Sequence, residues 1–514
     1  MVVAGLPIFT AMRNLFVLAA CSAVTLFAQD GQLDPTFANS GFAFFDPTVT
    51  SERSTCLHVK ADGRILGGGN EYEGVNTECW ILQCLPDGSL DPDFGESGRS
   101  MVNFCTSADR LTMLLSQPDG KVLAAGYENF NNEIVDQGIV FRLTAAGDLD
   151  TSWGLAGLSY VTATYDVILP AIALQPDGKV LAAGYYSHGS LQDGVVRRFL
   201  PNGDLDTTFG GNGQVLITST GNDWINNVIV CPDGGILVGG TETTTLVAYR
   251  YLADGTLDPA FGVGGKLTGT FNNGGFIGGY TYMAVDEQQR ILFYGNTTGT
   301  TSHIGLKAYL PDGTPDLLFG DNGEVWHDLG TSSGTAMRGE LLPSGRLVIP
   351  LNGPDYPAFH VICFNADGSL SAGFGTNGIA HVSGSPAGAM SAGAQGDSAL
   401  VVLGTSPGTP GSQPWMVRYT LDDLSTAVPA DPALADTRIY PVPGQGQDLT
   451  VVPGCEVVEG TLIVRDAMGR TVMVNPESAA DRIRLRGSAN LPAGIYSVSM
   501  RTRCGARTVR FLVR

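Results

Sequence analysis

Leu90-Asp91-Pro92-Asp93-Phe94-Gly95-Glu96-Ser97-Gly98 is the stretch on which the reading of this chain turns. Variants of it stand seven times, with the aromatic at Phe37, Phe94, Trp153, Phe209, Phe261, Phe319 and Phe374. The intervals of 57, 59, 56, 52, 58 and 55 residues mark an array of one supersecondary unit, in which each copy buries its apolar face against the next.

Within the unit the signature has its own mechanics. Asp91 followed by Pro92 places an acidic cap before a residue whose φ is preset, so one helical turn is predicted, with the aromatic pointing into the seam between units. The glycine after the aromatic can end that turn in the left-handed region, and the second glycine recurs at Gly41, Gly98, Gly157, Gly213, Gly265, Gly323 and Gly378. Calcium binding is the rival use of Asp87 with Asp91, or Asp254 with Asp258. Other copies put Ala146 or Ser371 at these positions, which favours a cap.

Around the signature lie four short β-rich runs, read in one unit as 99–104, 111–117, 121–126 and 139–143. A Pro-Asp-Gly turn joins the second and third, as at Pro118-Asp119-Gly120 and Pro176-Asp177-Gly178. Asp286-Glu287-Gln288-Gln289 and Gln395-Gly396-Asp397 replace it in two units, and those turns are predicted to differ in shape. Seven such antiparallel meanders predict an all-β chain, a seven-bladed β-propeller of four-stranded blades over 29–425, with the amino-terminal copy at Phe37 joining the chain ends.

The 514 residues carry a net charge of -21. Residues 436–514 hold 11 Arg against 7 acidic residues, a net +4, which leaves -25 on the rest. An acidic body of that size excludes phosphate backbones as partners, so no nucleic-acid binding is expected. Met12-Arg13-Asn14, the apolar run 15–27 and Ala28 read as a signal peptide over 1–28, with translation starting at Met12 as an alternative. Leu18-Ala19-Ala20-Cys21 offers a lipobox as a second reading. No other run is long enough to span a bilayer, so no transmembrane helix is expected in the mature chain.

Eight cysteines follow the signal, and Cys455 with Cys504 is the candidate disulfide. Cys79 and Cys84 lack a second pair or a spaced His for zinc, and Cys231 and Cys363 read as small buried hydrophobes. The six histidines fall singly. Gly404-Thr405-Ser406-Pro407-Gly408 has the pattern of a nucleophile elbow but no helix behind the serine. No phosphate loop is present. The reading is therefore a noncatalytic chain without metal or cofactor.

Beyond a Pro/Ala-rich linker at 426–435, alternating runs at 448–452, 461–465, 470–474, 482–486, 494–500 and 507–513 fit a small Ig-like β-sandwich over 436–514. Two resemblances can now be named. The signature together with Gln175-Pro176-Asp177-Gly178-Lys179-Val180-Leu181 resembles the delta-60 repeat of secreted bacterial proteins, which implies a β-propeller and no agreed activity. Tyr440-Pro441-Val442-Pro443, Asp466-Ala467-Met468-Gly469-Arg470, Gly494-Ile495-Tyr496 and the terminal Arg507-Thr508-Val509-Arg510-Phe511 resemble the type A sorting domain of the Bacteroidetes type IX secretion pathway. That resemblance implies export across the outer membrane, with the type IX machinery as partner and a product released or attached to the cell surface.

In an antiparallel meander alternate connections emerge on opposite faces, so the Asp-Gly turns and the signatures share one face and the dissimilar loops share the other. The second face is predicted to carry Tyr72, Trp80, Tyr127, Phe130, Tyr185, Tyr186, Trp224 and Tyr356, with Glu71, Glu73, Glu128, His188 and Tyr282 among them. Aromatics beside carboxylates suit stacking on sugars or packing on a protein partner. The alternative is a polysaccharide hydrolase or lyase acting in the ring's channel, for which no convergent carboxylates are assignable.

Overall fold

The computed structural model describes residues 30–421 apart from 46–50, 74–75, 104–107, 130–134, 162–163, 272–276, 298–302, 330–334, 353–358, 382–387, 397 and 407–411, together with the backbone of seven strands between 438 and 513. Seven antiparallel sheets of four strand positions follow one another around a ring. Blade 2 shows the plan: Ala108–Ser116 innermost, then Val122–Asn129, Gln137–Leu143 and Leu158–Val161 outermost. Innermost strands of neighbouring blades touch, from Ser51–Val59 onward, which places them about the axis.

The blade and the sequence unit are out of phase by one strand. Arg99–Val102, read as the first strand of the second unit, pairs with Asn76–Cys84 and completes blade 1 instead. The same offset closes the ring: Phe42–Phe44 pairs with Gln413–Thr420 as the outermost strand of blade 7. The chain ends are thus held by the same hydrogen bonds that build every other blade.

Each seam holds its own apolar cluster, and each cluster contains one signature aromatic. All seven aromatics are buried, and burying one such side chain contributes about 1.5–3 kcal/mol. Six innermost strands carry a register shift, for example between Leu111 and Met113. The bulged carbonyl of Arg53, Arg110, Ile168 or Trp224 lies where a Cβ would stand on Gly69, Gly126, Gly184 or Gly240, so the second strands need glycine there.

The signature makes a tight turn with an i to i+3 bond in all seven copies, such as Phe94 N–H to the Asp91 carbonyl at 3.1 Å. Among the seven signatures only 209–211 forms a 3-10 turn, so the predicted single helical turn is tighter than an α-helix. In six copies the aspartate caps it by accepting the N–H two residues on, at 2.9–3.2 Å. The turn at 286–290 corrects an expectation. It closes through Gln289 N–H to the Asp286 carbonyl at 2.9 Å, as the glycine turns do, because Gln289 itself adopts φ 62.

At the carboxyl end seven strands form two antiparallel sheets, one of four and one of three, the strand set of an Ig-like sandwich. Asp466 stands opposite Tyr496, and Gly494 opposite Val513; Tyr440 ends Arg438–Tyr440. Pro441, Pro443, Gly469, Cys455 and Cys504 lie outside the described residues.

Candidate functional site

One face of the ring is built from the signatures, and its polar groups are turned toward one another. Gly95 N–H donates to the Ala146 carbonyl in the next blade, and Gly154 to Asn202, Gly210 to Asp254, Gly262 to Asp312, Gly320 to Asp367, Gly375 to Asp30 and Ala38 to Asp87 continue the series at 2.6–2.9 Å. The circle is closed. Beneath each bond the aromatic packs under the glycine of a second Asp-Gly-type turn, so that a Cβ on Gly88 would overlap Phe37 and one on Gly255 would meet Phe209. The sequence signal for that second turn is the dipeptide at Asp87-Gly88, Asp254-Gly255, Asp312-Gly313 and Asp367-Gly368.

The capping aspartates are engaged twice. Arg142 Nε donates to Asp150 at 2.9 Å, Arg198 Nε to Asp206 at 2.8 Å, Arg250 Nε to Asp258 at 3.0 Å and Arg418 Nε to Asp34 at 2.8 Å, with Gln83 replacing arginine toward Asp91 at 2.8 Å. Arg142, Arg198 and Arg418 also lie over the rings of Trp153, Phe209 and Phe37. Burial opposes the charge on Asp150, but bonds from Ser152 and Lys121 and the charge of Arg142 outweigh it and hold the carboxyl well below its usual range. A cavity of about 640 Å³ opens on this face where blades 7 and 1 meet. Its walls brace the closure: Gln395 Nε2 donates to Gly63 O at 2.6 Å, and Arg418 Nη1 to Pro86 O at 2.6 Å.

The opposite face does not repeat. Its best described part is the rim of blades 3 and 4, where Val180–His188 and Leu191–Phe199 meet in a two-residue hairpin with Gly189 at φ 67. His188 Nε2 and Asp193 Oδ2 are 2.7 Å apart, and the Tyr165 ring stands 5.0 Å from His188. Trp224 Nε1 donates to Gln192 Oε1 at 2.9 Å, which ties blade 4 to the hairpin and fixes the indole's orientation. Tyr165 is 48% and Leu191 46% exposed, and Trp224 and His188 are half-buried. Rings held by their polar edges, beside a carboxylate and an amide, form a preorganised surface for stacking and hydrogen bonding.

The predicted residues divide accordingly. Trp224, Tyr185, Tyr186 and His188 reach this rim, and Tyr186 Oη donates to Gln214 Oε1 at 3.2 Å. Tyr72 is half-buried between the guanidinium groups of Arg53 and Arg110, and Tyr127 is half-buried on blade 2. Trp80 is a correction: it is 0% exposed, because its position on the third strand of blade 1 points into the seam with blade 7. Tyr282 is likewise buried, stacked on Tyr294. Phe130 and Tyr356 lie outside the described residues. Sequence reading missed Tyr165, Leu191, Gln192 and Asp193, for which the two-residue Gly189-Ser190 hairpin was the available signal. His360 and His381, 21 positions apart in sequence, are cross-strand neighbours with ring centroids 4.2 Å apart. Cys56, Cys79, Cys84, Cys231 and Cys363 are buried, and Cys56, Cys84 and Cys231 are unbridged. Among the described residues no group of three or more His, Cys, Asp or Glu is arranged to hold a metal, and no helix is long and apolar enough to cross a membrane.

These features define a seven-bladed β-propeller. A family described as a β-propeller domain of unknown function, DUF5122, matches residues 117–152, 175–209 and 231–261, each match running from an inner turn into the next signature. No curated protein matches in sequence. Among solved structures, Sqt1 from Chaetomium thermophilum bound to the N-terminus of the ribosomal protein L10 is 13% identical, with TM-score 0.40 over 74% of this chain and 99% of that one. The acylaminoacyl peptidase of Pyrococcus horikoshii is 11% identical, with TM-score 0.39 over 79% and 59%.

Proposed function

We propose that this protein is an exported, noncatalytic propeller that binds a protein or glycan at the cell surface through its variable-loop face, delivered by the type IX pathway. The observation that carries the reading is the contrast between the faces. The signature face uses its carboxylates, arginines and backbone N–H groups in closing the ring, whereas the opposite rim presents Tyr165, His188, Leu191 and Trp224 in fixed orientations. Recognition concentrates on non-repeating loops carried by a rigid scaffold. The motifs at Tyr440, Asp466, Gly494 and Tyr496 support export and sorting, and the signal over 1–28 supports entry to the export route.

The test is a glycan and surface-protein array probed with the full chain, followed by Tyr165→Ala and Trp224→Ala on any ligand found. Loss of binding with retained folding is expected. Turnover of a polysaccharide panel by the chain would sink the noncatalytic reading.

A further inference from the structure

One register position circles the axis near the variable face: the innermost-strand residue whose bulged carbonyl meets the glycine of the second strand. In blades 1 to 4 it holds Arg53, Arg110, Ile168 and Trp224. Trp224 is the indole already placed on the binding rim by its bond to Gln192. Arg53 and Arg110 are neighbours of one sign, and both guanidinium groups lie over a single ring, that of Tyr72, at 5.5 and 5.1 Å from its centroid. Arg110 Nη1 also donates to Tyr72 Oη.

Arginine is spent differently elsewhere in the ring. Within 30–421 every other arginine except Arg197 and Arg338 forms an ion pair with a carboxylate. Arg197 donates to Gln214 Oε1 and to the Tyr160 carbonyl, and the charge of Arg338 acts on Glu340. Glu52, next in sequence to Arg53, projects from the other face of the strand and bonds Arg99. Among the described residues Arg53 and Arg110 have cation–π contacts and a phenol as partners, and no carboxylate within ion-pair distance. Two like charges on one ring repel, and a bound anion relieves that repulsion.

The other polar groups of this cleft also donate. Asn70 stands directly opposite Arg53, and Tyr72, two positions on, shares its face of the strand. Asn70 Oδ1 accepts the Leu111 N–H at 2.8 Å, which turns the side chain toward blade 2 and leaves its amide N–H groups for a ligand. Tyr72 and Arg110 are half-buried and Arg53 is exposed, so the cleft opens to solvent. A planar guanidinium fork matches a carboxylate with two parallel bonds.

We propose that Arg53, Asn70, Tyr72 and Arg110 bind a carboxylate of an acidic glycan, a uronate polymer, whose sugar rings pass Ile168 to stack on Trp224. The inference rests on the binding function proposed above and narrows it to one ligand class. A neutral glycan brings no group for the arginines, and the acidic body around them repels a dense polyphosphate.

The experiment is calorimetric titration of the full chain with oligogalacturonate and with the same oligomer after reduction of its carboxyl groups. Saturable binding of the first is expected, with at least about tenfold weaker binding of the second. The double variant Arg53→Gln, Arg110→Gln should lose at least about tenfold in affinity at unchanged Tm. Arg53→Gln alone, at an exposed position, should lose at least about threefold and keeps the test independent of folding. Arg64→Gln, which removes a charge on the signature face, should bind as wild type does. Equal affinity for the two oligomers, unchanged affinity in the Arg53 and Arg110 variants, or no binding of either oligomer at about 1 mM overturns the proposal. The rim reading survives each of these outcomes if the array yields a neutral ligand that Trp224→Ala weakens, so the two fail separately.

Discussion

The two faces of the ring are made by the same meander but obey different rules. On the signature face, seven copies repeat one set of bonds, and departures are repaired locally: Ala38 and Gln289 take positive φ where glycine is absent, and Asp30 pairs with Arg346 where blade 6 has Ser371 in place of the capping aspartate. On the opposite face the loop sequences differ from blade to blade, and among the described residues the hydrogen bond from Trp224 to Gln192 occurs once. Repetition in sequence therefore marks closure of the ring, and the rim that does not repeat is free to vary in what it presents.

The sharpest way to break this contrast is at a seam aromatic. Trp153→Ala should destabilise by about 3–5 kcal/mol, measured by denaturant unfolding, because the indole is fully buried and its Arg142 loses the ring face. Next comes Asp206→Ala, which strands Arg198 in the interior and should cost about 2–4 kcal/mol; a change within error would show that the capping ion pairs are ornamental. Gln289→Gly works in the opposite direction and should stabilise by about 0.5–1 kcal/mol, since it relieves a left-handed backbone without disturbing the turn.

Acid sensitivity provides a fourth probe. Burial first, then the nearby Lys60, lower the His58 imidazole to about 4. Burial, then His381, do the same to His360. Between pH 6.5 and about 4 the unfolded chain binds more protons than the folded one, so this contribution is present above 6.5 and is lost as pH falls. His58→Gln should flatten stability in that window, and an unchanged profile would contradict the assignment. The smallest effect is expected on the variable face, where Tyr165→Ala should leave stability within about 0.5 kcal/mol of wild type.

The period, the seven seams and the closure at Phe37 were legible because an aromatic, a capping aspartate and two glycines act within a few residues of each other. The phase of the blade was not. Whether Arg99–Val102 belongs with the strands before or after it is decided by pairing across the sheet, which local propensity does not encode. The same limit separates Trp80 from Trp224: both stand in β-rich runs near variable loops, but one points into a seam and the other to the rim. Opposed acids such as Asp109 and Glu128, 19 positions apart, become neighbours only once the register is known.

The central claim is that recognition belongs to the non-repeating rim. It is tested most directly by measuring the affinity of an array-identified ligand for two triple-alanine variants of the full chain, one at Tyr165, His188 and Trp224 and one at the exposed signature-face residues Leu155, Val263 and Leu317. The account predicts that the first variant loses at least about tenfold in affinity and the second binds as wild type does. Loss of binding in the second variant alone would place recognition on the repeated face and contradict it.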